Sequence, residues 1–183
     1  MADRTAEVLD ATLRCLLRYG ARRTTMDDIA SETGVSRSAV YQYVRNKDDA
    51  VRQVAARLHD GALRHARAAA GGDAPLPDRV FAILSAKLEL TAGPFAESPH
   101  AAELLDEQAR LCGDICRRFT DDLRALLTGV LTAANRPNAE DTAAILLAAA
   151  CGLLGAGRAD LLRRTSDALL AGLHPKDLEG TSI

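Results

Sequence analysis

An all-α fold is predicted for this chain of 183 residues, on three observations. Aromatic residues are 3% of the composition while hydrophobic residues reach 48%, so the core has to be assembled from leucine, alanine and valine. That palette suits closely packed helices better than a sheet rich in β-branched and aromatic side chains. Apolar residues recur at helical spacing along most of the chain, and no stretch sustains the apolar–polar alternation of a half-buried strand. The charged fraction, 26%, is ordinary for a globular protein, and the length allows one domain or two small ones.

The first helix is predicted over about Thr5 to Tyr19, where Leu9, Leu13, Leu16 and Leu17 repeat at helical spacing and Gly20 ends the run. From Thr24 to Lys47 the sequence specifies two short helices around a tight turn. Thr25 is placed to cap the first, with Asp28 answering it three positions on, and Ile29 and Ala30 supply its inward face. Gly34 ends that helix, because glycine enters the left-handed conformation cheaply; Val35 then drops into the core and Ser36 caps the next helix. Ser36, Arg37 and Ser38 give that second helix the short polar and basic N-terminus of a segment that enters a DNA major groove. The pattern is a helix-turn-helix.

Asn46 is predicted to cap a fourth helix carrying the stripe Val51, Val54, Ala55, Leu58 and Ala62, which stops at a linker from Gly71 to Pro77. Further helices are expected at Asp78 to Thr91, about Pro99 to Glu107, and about Ala109 to Ala134, with breaks at Gly93-Pro94 and Arg136-Pro137. Asn138 is placed to cap the next, whose run from Thr142 to Gly157 carries no charge. This run is too short for a membrane span of roughly twenty residues. A helix apolar all round is buried all round, so one side is expected to be covered by a second subunit, with Ala148, Ala149, Gly152, Gly155 and Ala156 allowing close approach. The last helix, about Ala159 to Leu173, adds Leu161, Leu162, Leu169 and Leu173.

Bulk charge does not announce a nucleic-acid partner, since the net charge is −2 and acids nearly balance bases over residues 1 to 53. Local placement is more telling. No acid interrupts Ala11 to Met26, which holds Arg14, Arg18, Arg22 and Arg23, or Thr33 to Lys47, which holds Arg37, Arg45 and Lys47. Asp27 and Asp28 suit the positive end of the first motif helix. The N-terminal MADRTAEVLDA has no apolar run, which excludes an ordinary secretory signal and makes a cytoplasmic location the expectation.

The segment Thr25-Met26-Asp27-Asp28-Ile29-Ala30, followed by Gly34-Val35-Ser36, Tyr41-Gln42-Tyr43 and Lys47, resembles the TetR family of bacterial transcriptional regulators over the first quarter of the chain. Ala50 departs from the pattern, standing where the family usually has a larger aliphatic residue. The resemblance implies a helix-turn-helix DNA-binding domain at residues 1–46 on a helical effector-binding and dimerisation bundle at 47–183. It implies a ligand-responsive homodimeric regulator, a repressor, on a palindromic operator of double-stranded DNA. Thr25, Tyr41 and Lys47 would contact phosphates and Arg37, Ser38 and Tyr43 the bases, with Thr24 and Ser36 alongside. The two C-terminal helices would build the dimer interface through Leu146, Ala149, Leu153, Ala156, Leu162 and Leu169. An apolar small-molecule effector would meet Leu58, Phe81, Leu84, Leu88, Phe95, Leu105, Gln108, Cys112 and Phe119. The competing class is a helical small-molecule binding or enzymatic bundle with a degenerate DNA module, which a gel-shift on a palindrome would separate.

Catalytic and metal chemistry find little support. Cys15, Cys112, Cys116 and Cys151 form no CxxC, and with no export signal a disulfide framework is not expected, although Cys112 and Cys116 share a helical face suited to oxidant sensing or a soft metal. His59, His65, His100 and His174 lack zinc spacing, and His59 is placed to face an effector. Gly152, Gly155 and Gly157 follow no strand and are better explained by helix packing than by a phosphate loop; Glu103, Asp106 and Glu107 suit a wet helix face. No enzyme activity, metal, cofactor or membrane contact is predicted.

Overall fold

The computed structural model describes residues 2–91 and 98–173, and every regular element among them is helical. In chain order these are α1 (Ala2–Tyr19), α2 (Met26–Thr33), α3 (Arg37–Val40), α4 (Lys47–Gly71), α5 (Leu76–Thr91), α6 (Ala101–Ala133), α7 (Ala139–Gly155), a single 3-10 turn (Ala159–Leu161) and α8 (Leu162–Gly172). Gly93-Pro94, Phe95 and His174 lie outside the described residues.

The chain divides into two compact units, Met1–Asp60 with Ala92–Arg117, and Gly61–Thr91 with Arg118–Ile183. The division passes through α4 and α6, whereas the sequence boundary at residues 46 and 47 marks the start of α4. In the first unit Val8, Leu9, Met26, Ile29, Val40, Val44 and Val54 make a core into which Ala50 fits, itself fully buried. The small side chain at position 50 is thus a packed one. Leu16, Ala21, Val51 and Leu104 form a smaller cluster. The second unit is built on Val80, Ile83, Leu84, Phe119, Leu123, Leu127, Leu131, Leu146, Leu147 and Leu162, with α5 packed on α7 and α8.

Two expectations change here. The helices expected on either side of Gln108 are one element, α6, whose only non-helical residue is Cys112 (φ −120°, ψ 18°). The break frees the Leu111 carbonyl, and Arg52 of α4 donates to it while gripping Asp114 at 2.8 and 2.7 Å. Asp114 also accepts backbone N–H groups at its own position and at Ile115, so it caps the second half of α6; Arg52 above all holds its carboxyl well below the usual range.

The second change concerns α7. Asn138 does occupy its N-cap position, but in the left-handed conformation (φ 49°, ψ 41°) with no side-chain cap bond; Thr142 N–H meets the Asn138 carbonyl at 2.9 Å. Glu140 and Asp141 answer the positive helix end instead. The uncharged run from Thr142 is also covered on one side only: Thr142, Ala143, Leu146, Leu147 and Ala150 are buried, while Ala144, Ile145, Ala148, Cys151, Gly152 and Ala156 are exposed.

Candidate nucleic-acid interface

The helix-turn-helix is fixed by three local devices. Thr25 Oγ1 accepts the Asp28 N–H at 3.2 Å and the Asp28 carboxylate accepts the Thr25 N–H at 2.8 Å, a reciprocal cap that satisfies two otherwise orphaned donors. The Thr25 hydroxyl and amide hold the Asp28 carboxyl below its ordinary range. Gly34 closes α2 at φ 72°, ψ 26°, a conformation that strains any residue with a Cβ. Ser36 caps α3, its Oγ accepting the Ala39 N–H at 3.2 Å. After Val40 the chain tightens, with Gln42 N–H on the Ala39 carbonyl at 3.1 Å and Tyr43 N–H on Val40 at 3.0 Å, so the helical segment is short.

These devices bring Ser36, Arg37, Ser38 and Tyr41 to one exposed surface, joined by Gln42, which sequence reasoning passed over. Ser36 and Ser38 hydroxyls lie 2.9 Å apart. Arg37 is held from two sides: its guanidinium bonds Asp27 at 2.7 Å, donates to the Tyr41 hydroxyl at 3.3 Å, and lies 5.8 Å from the Tyr41 ring centre. Tyr43 is half-buried against the first-unit core. Thr24 is a correction: the residue is 1% exposed and its hydroxyl donates to the Gly20 carbonyl at 2.7 Å, so it braces the α1–α2 turn and its side chain has no route to a phosphate.

Lys47 is also engaged. Its ammonium donates to the Ala21 carbonyl at 2.9 Å and to the Arg22 carbonyl at 3.4 Å, tying the start of α4 to the turn that follows α1 and leaving one of three donors for an outside acceptor. The basic run on α1 is partly neutralised, since Arg14 and Arg18 both reach Glu32, at 2.7 and 3.4 Å. Arg22, Arg23 and Arg45 stay exposed. These pairings span helices, so no local sequence signal marks them.

The predicted effector residues fall in both units. Leu58, Gln108 and Cys112 belong to the first, where Cys112 is fully buried. Phe81, Leu84, Leu88 and Phe119 belong to the second and build its core, with the Arg163 guanidinium 5.2 Å from the Phe81 ring centre. Leu105 is a correction: it is 43% exposed, and its neighbour Leu104 makes the inward contact. Of the interface residues, Leu146 and Leu162 are enclosed by their own chain, at 1% and 2% exposure, and cannot meet a partner; Ala149, Leu153 and Leu169 are half-buried and Ala156 is exposed. Among the described residues no group of three or more histidines, cysteines or carboxylates is arranged to hold a metal, and no helix is long and apolar enough to cross a membrane.

Residues 8–57 match the family model of bacterial regulatory proteins, tetR family. The HTH-type transcriptional regulator TtgR of Pseudomonas putida is 31% identical over 121 residues, 64% of this chain and 52% of that protein. The chain thus matches about half the length of this curated relative. Two solved structures share the fold: a TetR transcription regulator from Haloarcula marismortui (TM-score 0.69, 22% identity, covering 92% of this chain and 97% of that one) and the SmeT–triclosan complex (TM-score 0.67, 19% identity, 93% and 91%). The capped α2, the glycine turn, the Ser36-capped α3 and the matched family model carry one conclusion: residues 8–57 are a helix-turn-helix segment of the kind found in bacterial regulatory proteins of the tetR family.

Proposed function

We propose that the protein is a homodimeric, ligand-responsive transcriptional repressor of the cytoplasm that binds a palindromic operator. The observation that carries this reading is the exposed surface of Ser36, Arg37, Ser38 and Tyr41, fixed by the Thr25–Asp28 cap and the Gly34 turn. Arg37 and Ser38 read base edges, with Tyr43 beside them. Thr25, Tyr41 and Lys47 position the backbone, and Ser36 sets the helix start. One short recognition helix per chain offers few base contacts, which is why two copies on an inverted repeat, about 34 Å apart, make the specific complex.

The dimer seam in this reading is the exposed side of α7, Ile145, Ala148, Cys151, Gly152 and Ala156, with Ala149, Leu153 and Leu169 at its edge. The support is chemical: these residues are uncharged, and the exposed ones are small apart from Ile145, which is 42% exposed. The effector is an apolar small molecule that weakens operator binding through α4, whose first turn holds Lys47 against the motif. A gel-shift with a palindrome from the protein's own promoter region tests the reading. A retarded complex lost on scrambling either half-site is expected; equal retardation of palindrome and scrambled duplex would contradict it.

A further inference from the structure

Cys112 and Cys116 are four residues apart on α6, but the structure gives Cys116 a different neighbour. The Sγ of Cys116 lies 3.6 Å from Nε2 of His59, and the Gln108 side-chain amide donates toward the same sulfur at 3.9 Å. His59 is 5% exposed, and its Nδ1 lies 2.7 Å from the Ala55 carbonyl. A carbonyl only accepts, so Nδ1 carries a proton, and Nε2, the acceptor of the ring in that tautomer, faces the thiol. The other cysteines of the first unit are unlike it: burial above all pushes the Cys15 and Cys112 thiols up to about 11, while Cys116 is half-buried and within reach of solvent.

We propose that Cys116 is a thiol activated by His59 that conjugates a neutral soft electrophile of the α,β-unsaturated carbonyl class, and that the adduct is the signal that weakens DNA binding. In the step, the thiol proton passes to His59 Nε2 and a sulfur lone pair forms a C–S bond to the β-carbon of the electrophile. The C=C π pair shifts toward the carbonyl oxygen as an enolate, and the proton returns from His59 to the α-carbon. The reaction is an addition, with no oxidant and no leaving group.

The route to the DNA surface is α4. Along this one helix Lys47 bonds the Ala21 carbonyl, Arg52 bonds Leu111 and Asp114 at the break in α6, and His59 faces Cys116 one turn beyond that break. Twelve helical residues separate Lys47 from His59, about 18 Å of rigid rise. A group added to the Cys116 sulfur, 3.6 Å from Nε2, crowds the His59 ring of α4. The Arg52–Asp114 pair that holds the break is half-exposed, so it gives way at little cost. The proposal rests on the reading of the chain as a ligand-responsive DNA-binding protein, and the two are tested separately.

The probe is N-ethylmaleimide at limiting concentration on the full chain, read by peptide mass mapping at Cys116, with free N-acetylcysteine in the same solution as the reference thiol. Cys116 is expected to react at least about tenfold faster than N-acetylcysteine, and His59→Gln to remove that excess. A Cys116 rate at or below that of N-acetylcysteine in the unmutated chain would overturn the proposal whether or not the His59 variant folds. In protein whose mass map shows the adduct at Cys116 alone, operator binding is expected to weaken tenfold or more, and Cys116→Ser to abolish the response. An adduct that leaves operator affinity unchanged would overturn the signalling role, whereas unmodified protein that binds no operator refutes the proposed function and leaves the thiol kinetics standing.

Discussion

At Arg37 two demands meet. The side chain that faces the bases in the proposed complex is bonded to Asp27 in the free protein, with both partners more than half exposed. Such a pair is worth about 0–1 kcal/mol, so DNA can compete for the guanidinium while the carboxylate keeps it extended beforehand. Arg37→Ala is expected to relax sequence preference by about 1–3 kcal/mol for the lost base contact, read by anisotropy titration of operator variants. Asp27→Asn is expected to raise affinity for all sequences by removing a negative charge from the DNA face; unchanged affinity in both variants would remove this surface from the interface. Thr25→Ala is expected to destabilise the fold by about 1 kcal/mol through the lost cap. Asp28 has its folded value depressed by Thr25, so its contribution is present above the ordinary carboxylate pKa and fades as pH falls through the lower folded value. Urea unfolding of Thr25→Ala should therefore lose less stability between about pH 7 and about pH 3 than the unmutated chain does.

The elements differ in how far the sequence announces them. The caps of α2 and α3 were legible because capping is local chemistry: Thr25 and Asp28 are three residues apart, Gly34 enforces its own turn, and Ser36 sits directly before α3. The break in α6 was not, because Arg52 stabilises it from another helix, and the left-handed Asn138 showed only that a helix starts there. The uncharged run of α7 marked an apolar helix without saying which side its own chain covers. Packing decides that, and it separates Ile145 from Leu146. Ile145→Glu changes an exposed position and is expected to yield folded monomers by sedimentation with an unaltered circular dichroism spectrum. Leu146→Ala opens a cavity in the second-unit core and is expected to cost about 2–5 kcal/mol of stability while the protein that remains folded still dimerises. If Ile145→Glu left the association state unchanged, α7 would not be the seam.

In the whole molecule, a DNA surface, a second copy and an effector are joined through linkage in the proposed function. An effector that weakens operator binding tenfold has to bind the operator complex tenfold more weakly than the free protein, a coupling of about 1.4 kcal/mol. The same logic sets the ionic behaviour. Each lysine or arginine on a phosphate releases counterions, so Lys47→Ala is expected to reduce the slope of log affinity against log salt by about one and to weaken all sequences alike, beyond any loss of stability from its bonds to the Ala21 and Arg22 carbonyls. The most direct test of the central claim is a stoichiometric anisotropy titration of a labelled duplex carrying an inverted repeat from the protein's own promoter region, repeated over a series of salt concentrations. Two chains per duplex, affinity above that for a scrambled duplex by about 10³ or more, and a steep fall with salt are expected. One chain per duplex with equal affinity for the scrambled sequence would contradict the claim.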